Sequence, residues 1–141
     1  MKRNLLAIAT VMMMVLSLSS FANEKANPSV SGPSVSIVAN YLNASVLGHQ
    51  NDIKEMLADN FEYFNTANKK KSSKEEYVKF LNETNNSKYD CAYTYEVLDQ
   101  TGKFAVAKAT FKFDNFTRVD ILTLQDTAEG WKISEVITNY K

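Results

Sequence analysis

The second half of this 141-residue chain alternates with period two through four successive segments: "YDCAYTYEVLD", "KFAVAKATFKFD", "FTRVDILTLQ" and "WKISEVITNY". Successive side chains of a strand point to opposite faces, so period two marks half-buried strands. The links "QTG", "DN" and "DTAEG" are short enough for hairpins, which make neighbouring strands antiparallel. These segments predict a four-stranded antiparallel meander. Its apolar face needs a cover, and the first half of the chain must supply one.

The cover is legible as helices. "SVSIVANYLNASVLGHQ" carries Val35, Val38, Tyr41, Leu42, Ser45 and Val46 at a spacing near 3.6, with Ser34 or Ser36 as the expected cap and Gly48 at the end. "NDIKEMLA" predicts a short second helix capped by Asn51, with Ile53, Met56 and Leu57 inward. "DNFEYFNT" alternates Phe61, Tyr63 and Asn65 against Glu62, Phe64 and Thr66 and reads as an early strand. In "SKEEYVKFL", Ser73 with Glu76 three residues on forms a capping box, and Tyr77, Val78, Phe80 and Leu81 supply a buried stripe. Three helices, one early strand and a meander make an α+β fold with helices on one face of a curved antiparallel sheet.

Residues 1–22 stand apart. Lys2 and Arg3 precede an apolar run from Leu5 to about Leu18, and Ser20-Phe21-Ala22 has the small residues of a cleavage site, the layout of a secretory leader. The run is shorter than the ~20 residues a spanning helix needs. Residues 23–33 read as an extended tether, with Pro28, Gly32 and Pro33. The domain then runs over 34–141, and the expected location is periplasmic or secreted. Loss of Lys2 and Arg3 leaves 14 basic against 16 acidic residues, a balance that does not call for nucleic acid. The run Lys69, Lys70, Lys71 and Lys74 reads as a solvated loop. Cys91, the single cysteine, has no internal partner and reads as a core or pocket filler.

In "FTRVDILTLQ" one face shows Phe116, Arg118, Asp120, Leu122 and Leu124, and the other Thr117, Val119, Ile121 and Thr123. A sheet with one wet face does not need large apolar residues on both. The helices cover one face; the other is expected to meet a second copy, giving a homodimer through the sheet.

"VANYLNASVLGHQNDIKEMLADNFEYFN" and "RVDILTLQDTAEGWKISEVITNY" resemble the opening and the ending of the nuclear transport factor 2-like superfamily, which includes ketosteroid isomerases, polyketide-cyclase-like (SnoaL-like) proteins and putative lumazine-binding-like proteins. The resemblance implies a cone-shaped sheet, cystatin-like in outline, with three N-terminal helices on its concave face and a pocket between them. It also implies roles, position by position. Tyr41 falls where the isomerase branch keeps an oxyanion donor on the first helix, and Asp120 near its neutral carboxylic acid. The branch's proton-accepting carboxylate on the first strand falls on Asn65, and an amide does not accept a proton at neutral pH. Glu62 is close in sequence but turned to the opposite face.

Asp120 has two readings. Burial among Phe116, Leu122 and Leu124 favours the neutral acid, a donor to a ligand; pairing with Arg118, two residues away on the same face, favours the carboxylate. Tyr63, with Tyr41, Tyr93 and Tyr95, offers aromatic walls suited to a planar ligand and equally to an ordinary core. His49, the single histidine, reads as a polar turn residue, and Trp131 as hairpin packing. One His and one Cys far apart do not make a metal site, and the four glycines form no phosphate loop, so no cofactor is expected. The leading reading is an exported, non-catalytic binder of a small apolar or planar ligand, with Tyr41, Asn65, Asp120, Tyr63 and Arg118 as candidate pocket residues. An isomerase, cyclase or dehydratase working through Asp120 and Tyr41 on a planar or polycyclic substrate is the alternative, and a protein-interaction module without ligand is a third.

Overall fold

A computed structural model of the protein describes residues 32–84 and 87–141. The leader, and all of the tether except Gly32 and Pro33, lie outside the described residues. The elements are α1 (Pro33–Leu47), α2 (Gln50–Met56), β1 (Leu57–Asn65), β2 (Lys70–Ser73), α3 (Lys74–Glu83), β3 (Ala92–Thr101), β4 (Phe104–Lys112), β5 (Thr117–Thr127) and β6 (Gly130–Tyr140). The four expected strands form the expected meander. It continues into one six-stranded sheet of order β2-β1-β6-β5-β4-β3.

Two features depart from the sequence reading. The sheet is mixed rather than antiparallel throughout: β1 lies parallel to β6, with Tyr63 opposite Val136 and Asn65 opposite Thr138. The lysine run is not wholly loop, because Lys70–Ser73 pairs antiparallel with β1. Charged side chains are tolerated there because β2 is a short edge strand.

Helix starts also differ. Pro33 opens α1 after Gly32, without a side-chain cap, as suits a residue with no N–H to satisfy. Ser34 instead donates to Gln100 Oε1 at 2.5 Å, tying α1 to β3. In α2 the N-cap is His49, again without a side-chain bond, and Asn51 falls inside the helix. At α3 the capping box forms: the Glu76 N–H donates to Ser73 Oγ at 3.3 Å and the Ser73 N–H to Glu76 Oε2 at 2.9 Å. Gly48 ends α1 in the left-handed region at φ 75°, a backbone state nearly free of cost only for glycine.

The core lies between the helices and one sheet face. Val38, Tyr41 and Leu42 from α1 and Ile53 from α2 are buried in one cluster with Ala107, Ala109, Phe111, Leu122, Leu124, Ile133 and Val136. The alanines of β4 leave the room that α1 occupies. Phe80 breaks the expected stripe of α3: it is 54% exposed, while Tyr77 and Leu81 are buried. Register shifts interrupt three strand pairs and bend the sheet; that between β1 and β6 falls between Leu57 and Glu62. Between β5 and β6 the register shifts after Thr123, so Ser134 is extra and Ile133 and Val136 both face the core; the Ser134 hydroxyl closes the bulge by donating to the Thr123 carbonyl at 3.2 Å. Between β3 and β4 the shift falls at Leu98, which is left 49% exposed.

Candidate ligand pocket

Strand register lines up the residues that build the site. One row across the sheet reads Tyr93, Phe111, Arg118 and Tyr140, and the next reads Tyr95, Ala109, Asp120, Thr138 and Asn65. A third reads Val97, Ala107, Leu122, Val136, Tyr63 and Ser72. All three rows face the helices, so polar and aromatic groups far apart in sequence meet under α1, α2 and α3.

Asp120 is completely buried. Its carboxylate accepts four hydrogen bonds. Arg118 donates through Nε to Oδ1 at 2.9 Å and through an Nη to Oδ2 at 2.6 Å. Thr138 Oγ1 donates to Oδ1 at 2.7 Å, and the Tyr41 hydroxyl to Oδ2 at 3.2 Å. The two-pronged guanidinium contact is the geometry in which Arg holds a carboxylate best. Of the two readings of Asp120, the ion pair is the one that forms. Burial acts to lower the Arg118 pKa, but the charge and hydrogen bonds of Asp120 outweigh it and hold the guanidinium well above its ordinary value. Arg118 also sits 5.1 Å over the Phe111 ring, its cross-strand neighbour, and its second Nη reaches the Tyr89 hydroxyl at 3.5 Å.

Tyr41 is held neutral by the same burial, with the neighbouring Tyr77 and Asp120 adding to it; its pKa lies well above 10. Burial likewise raises Tyr77, whose ring stacks on Tyr63 at 4.7 Å between centroids and meets Phe61 at 5.2 Å.

Above this layer is a cavity of about 250 Å³. Tyr63, Tyr77, Tyr89 and Tyr140 provide its aromatic walls, with Ile53, Phe80 and Leu81. Its polar lining is Ser45, Gln50, Asn65, Asn68, Lys70, Ser72, Glu76 and Arg118. Of the five residues singled out from sequence, Tyr63, Asn65 and Arg118 line the cavity; Tyr41 and Asp120 lie in the layer beneath and do not reach the lining. Asn65 spends part of its capacity on its own turn, its Oδ1 accepting from the Ala67 N–H at 3.0 Å. Sequence reasoning missed Gln50, Tyr89, Thr138 and Tyr140 as site residues. The alternation of β6 already placed Thr138 and Tyr140 on one face; Gln50 and Tyr89 carried no such signal. Among the described residues, no group of three or more His, Cys, Asp or Glu could hold a metal. His49 stands outside the pocket, 3.6 Å from Asp52 in an exposed pair. Burial and the neighbouring Asp90 push the Cys91 thiol up, away from thiolate reactivity.

The family model described as "Putative lumazine-binding" matches residues 35–137, nearly the whole of the described domain. The chain belongs to this family. Its fold is that of the nuclear transport factor 2-like superfamily, as solved structures show. A putative ketosteroid isomerase from Shewanella frigidimarina superposes with a TM-score of 0.65 at 18% identity, covering 79% of this chain and 98% of that one. An NTF-2 like protein of unknown function from Silicibacter pomeroyi gives 0.64 at 12% identity, covering 77% and 93%. A ketosteroid isomerase-like protein from Erwinia carotovora atroseptica gives 0.58 at 15%, covering 75% and 92%. A search of curated proteins returned no match. At these identities the solved structures speak for the fold alone. In this domain the position expected for a proton acceptor holds Asn65, and Glu76 is the one carboxylate among the lining residues.

Proposed function

We propose that this domain is an exported binding protein for a compact planar small molecule, and that it binds without transforming its ligand. The observation that carries the reading is the cavity itself: an open space walled by four tyrosines with a few polar groups converging on it, the usual make-up of a small-molecule site. Its size favours one or two fused rings over a steroid, since it falls below the ~300–1,000 Å³ of drug-sized pockets. The family's description adds a bicyclic heterocycle as a ligand class to test.

Binding without turnover is supported by the state of the acid–base candidates. Asp120 and Tyr41 are buried and engaged with each other. Asn65 cannot accept a proton, and Glu76 is engaged with the α3 N-terminus. An isomerase, cyclase or dehydratase would need a free base over the ligand. The open cavity likewise weighs against a module that only binds other proteins.

Export rests on the layout of residues 1–22, with no helix among the described residues long and apolar enough to cross a membrane. A homodimer through the sheet rests on Phe64, Val106, Val119, Ile121 and Ile137, which alternate with the core-facing residues and are only half-buried on the outer face. A thermal-shift screen of planar heterocycles tests the binding reading. A ligand at 100 times its Kd adds about 2.7 kcal/mol, roughly 10 °C for a domain of this size. No shift across compact planar compounds would remove the proposal.

A further inference from the structure

Gln50 lines the cavity and is only 7% exposed, and its Oε1 is buried without a hydrogen-bond partner. It is the one such side-chain atom found among the described residues. Asp120, deeper still, has four donors, so the orphan is not a general failing of this core. A buried acceptor left unpaired is costly, and native cores leave few of them. Gln50 opens α2 immediately after the Gly48-His49 turn, so the fold holds its backbone in place. Its terminal amide torsion is soft, so the carboxamide is free to turn its oxygen toward the cavity that Gln50 lines.

The charges around it narrow the partner. Lys70 and Arg118 line the cavity, as does Glu76, and Asp120 neutralises Arg118 from behind. The surroundings are thus balanced and suit an uncharged ligand. A ligand carboxylate would turn lone pairs toward the orphan oxygen, whereas an N–H would satisfy it.

Resting on the binding reading above, we infer that the Gln50 carboxamide is the specificity contact of the pocket and selects neutral, planar heterocycles that present an N–H donor, as a lactam or imide does. The tyrosine walls accept the ring faces and Gln50 reads the ring edge. A heterocycle whose edge nitrogen is methylated stacks equally well but leaves Oε1 unpaired.

The test uses protein purified from the full-length chain and three matched probe pairs: lumazine, quinazoline-2,4-dione and quinolin-2-one, each against its N-methylated twin. Calorimetric titration should show the N–H member of a pair binding about tenfold tighter. In Gln50→Met the gap should collapse to within about twofold, and in Gln50→Glu, which keeps an acceptor, it should persist. Without ligand, Gln50→Met should melt at or above the wild-type temperature, because an unpaired acceptor has been replaced by an apolar group. Equal binding of both twins by the wild type, or a gap unchanged in Gln50→Met, overturns the assignment to Gln50 while leaving the pocket reading intact. A clear drop in the melting temperature of ligand-free Gln50→Met also overturns it, since Oε1 would then already have a partner. Failure of every probe to bind overturns this inference and the binding reading together.

Discussion

Replacing Arg118 with Met keeps the aliphatic stem and removes the guanidinium from the pocket lining. Asp120 then loses two of its four hydrogen bonds and its charge partner, and keeps the hydroxyls of Tyr41 and Thr138. The carboxylate is 0% exposed and the Arg118 side chain 12%, so water does little to compensate either group. Breaking a buried pair from one side costs about 3–5 kcal/mol, because a charge is left buried and unpaired. For a domain of this size that is a fall of roughly 12–20 °C in Tm. Urea unfolding followed by circular dichroism measures it directly. The double variant Arg118→Met/Asp120→Leu removes both charges and should be more stable than Arg118→Met alone. A single variant within about 1 kcal/mol of wild type, or a double variant whose losses simply add, would refute the claim that these charges form one sealed cluster.

Other expectations follow from the same contacts. The folded-state pKa values of Tyr41 and Tyr77 lie above the ordinary 10, with burial as the main cause. Above pH 10 the unfolded chain therefore releases protons that the folded one keeps, so stability is unaffected below about pH 10 and falls above it, by up to ~1.4 kcal/mol per pH unit for each tyrosine. Phenolate absorbance at rising pH should show these two of the seven tyrosines appearing only with loss of the fold; seven titrating near pH 10 in intact protein would contradict this. Ser73→Ala removes the cap of α3 and should cost about 1 kcal/mol, read as a shift of the urea midpoint. Ile121→Lys on the outer face should convert a dimer to a monomer by sedimentation while the monomer fold, seen by circular dichroism, is retained; a wild-type monomer at micromolar concentration removes the dimer.

What could be read from sequence was what depends on local period. The meander, the stripe of α1, the Ser73–Glu76 box and the shared face of Arg118 and Asp120 all follow from side-chain direction along one element. Strand β2 was not legible, because "KKSS" has neither apolar alternation nor β-branched residues and exists as a strand only by pairing with β1. The parallel contact of β1 with β6 was hidden for the same reason: it joins segments some seventy residues apart. In the site, the resemblance set Tyr41 and Asp120 as anchors of one pocket, and the Tyr41 hydroxyl donates to that carboxylate. It did not show that both lie beneath the cavity floor, since depth is set by how far α1 settles onto Ala107 and Ala109. Gln50 was illegible because a polar residue at a helix start is ordinarily solvated, and here tertiary packing buries it.

Chemical-shift mapping tests the central claim most directly. Adding quinazoline-2,4-dione to ¹⁵N-labelled protein should move the signals of Gln50, Tyr63, Asn65, Tyr77 and Tyr140 together and saturably, with the Arg118 side-chain Nε–H among them. Shifts confined to the outer face around Val119, Ile121 and Ile137, or no shift at millimolar compound, would contradict a ligand site between the helices and the sheet.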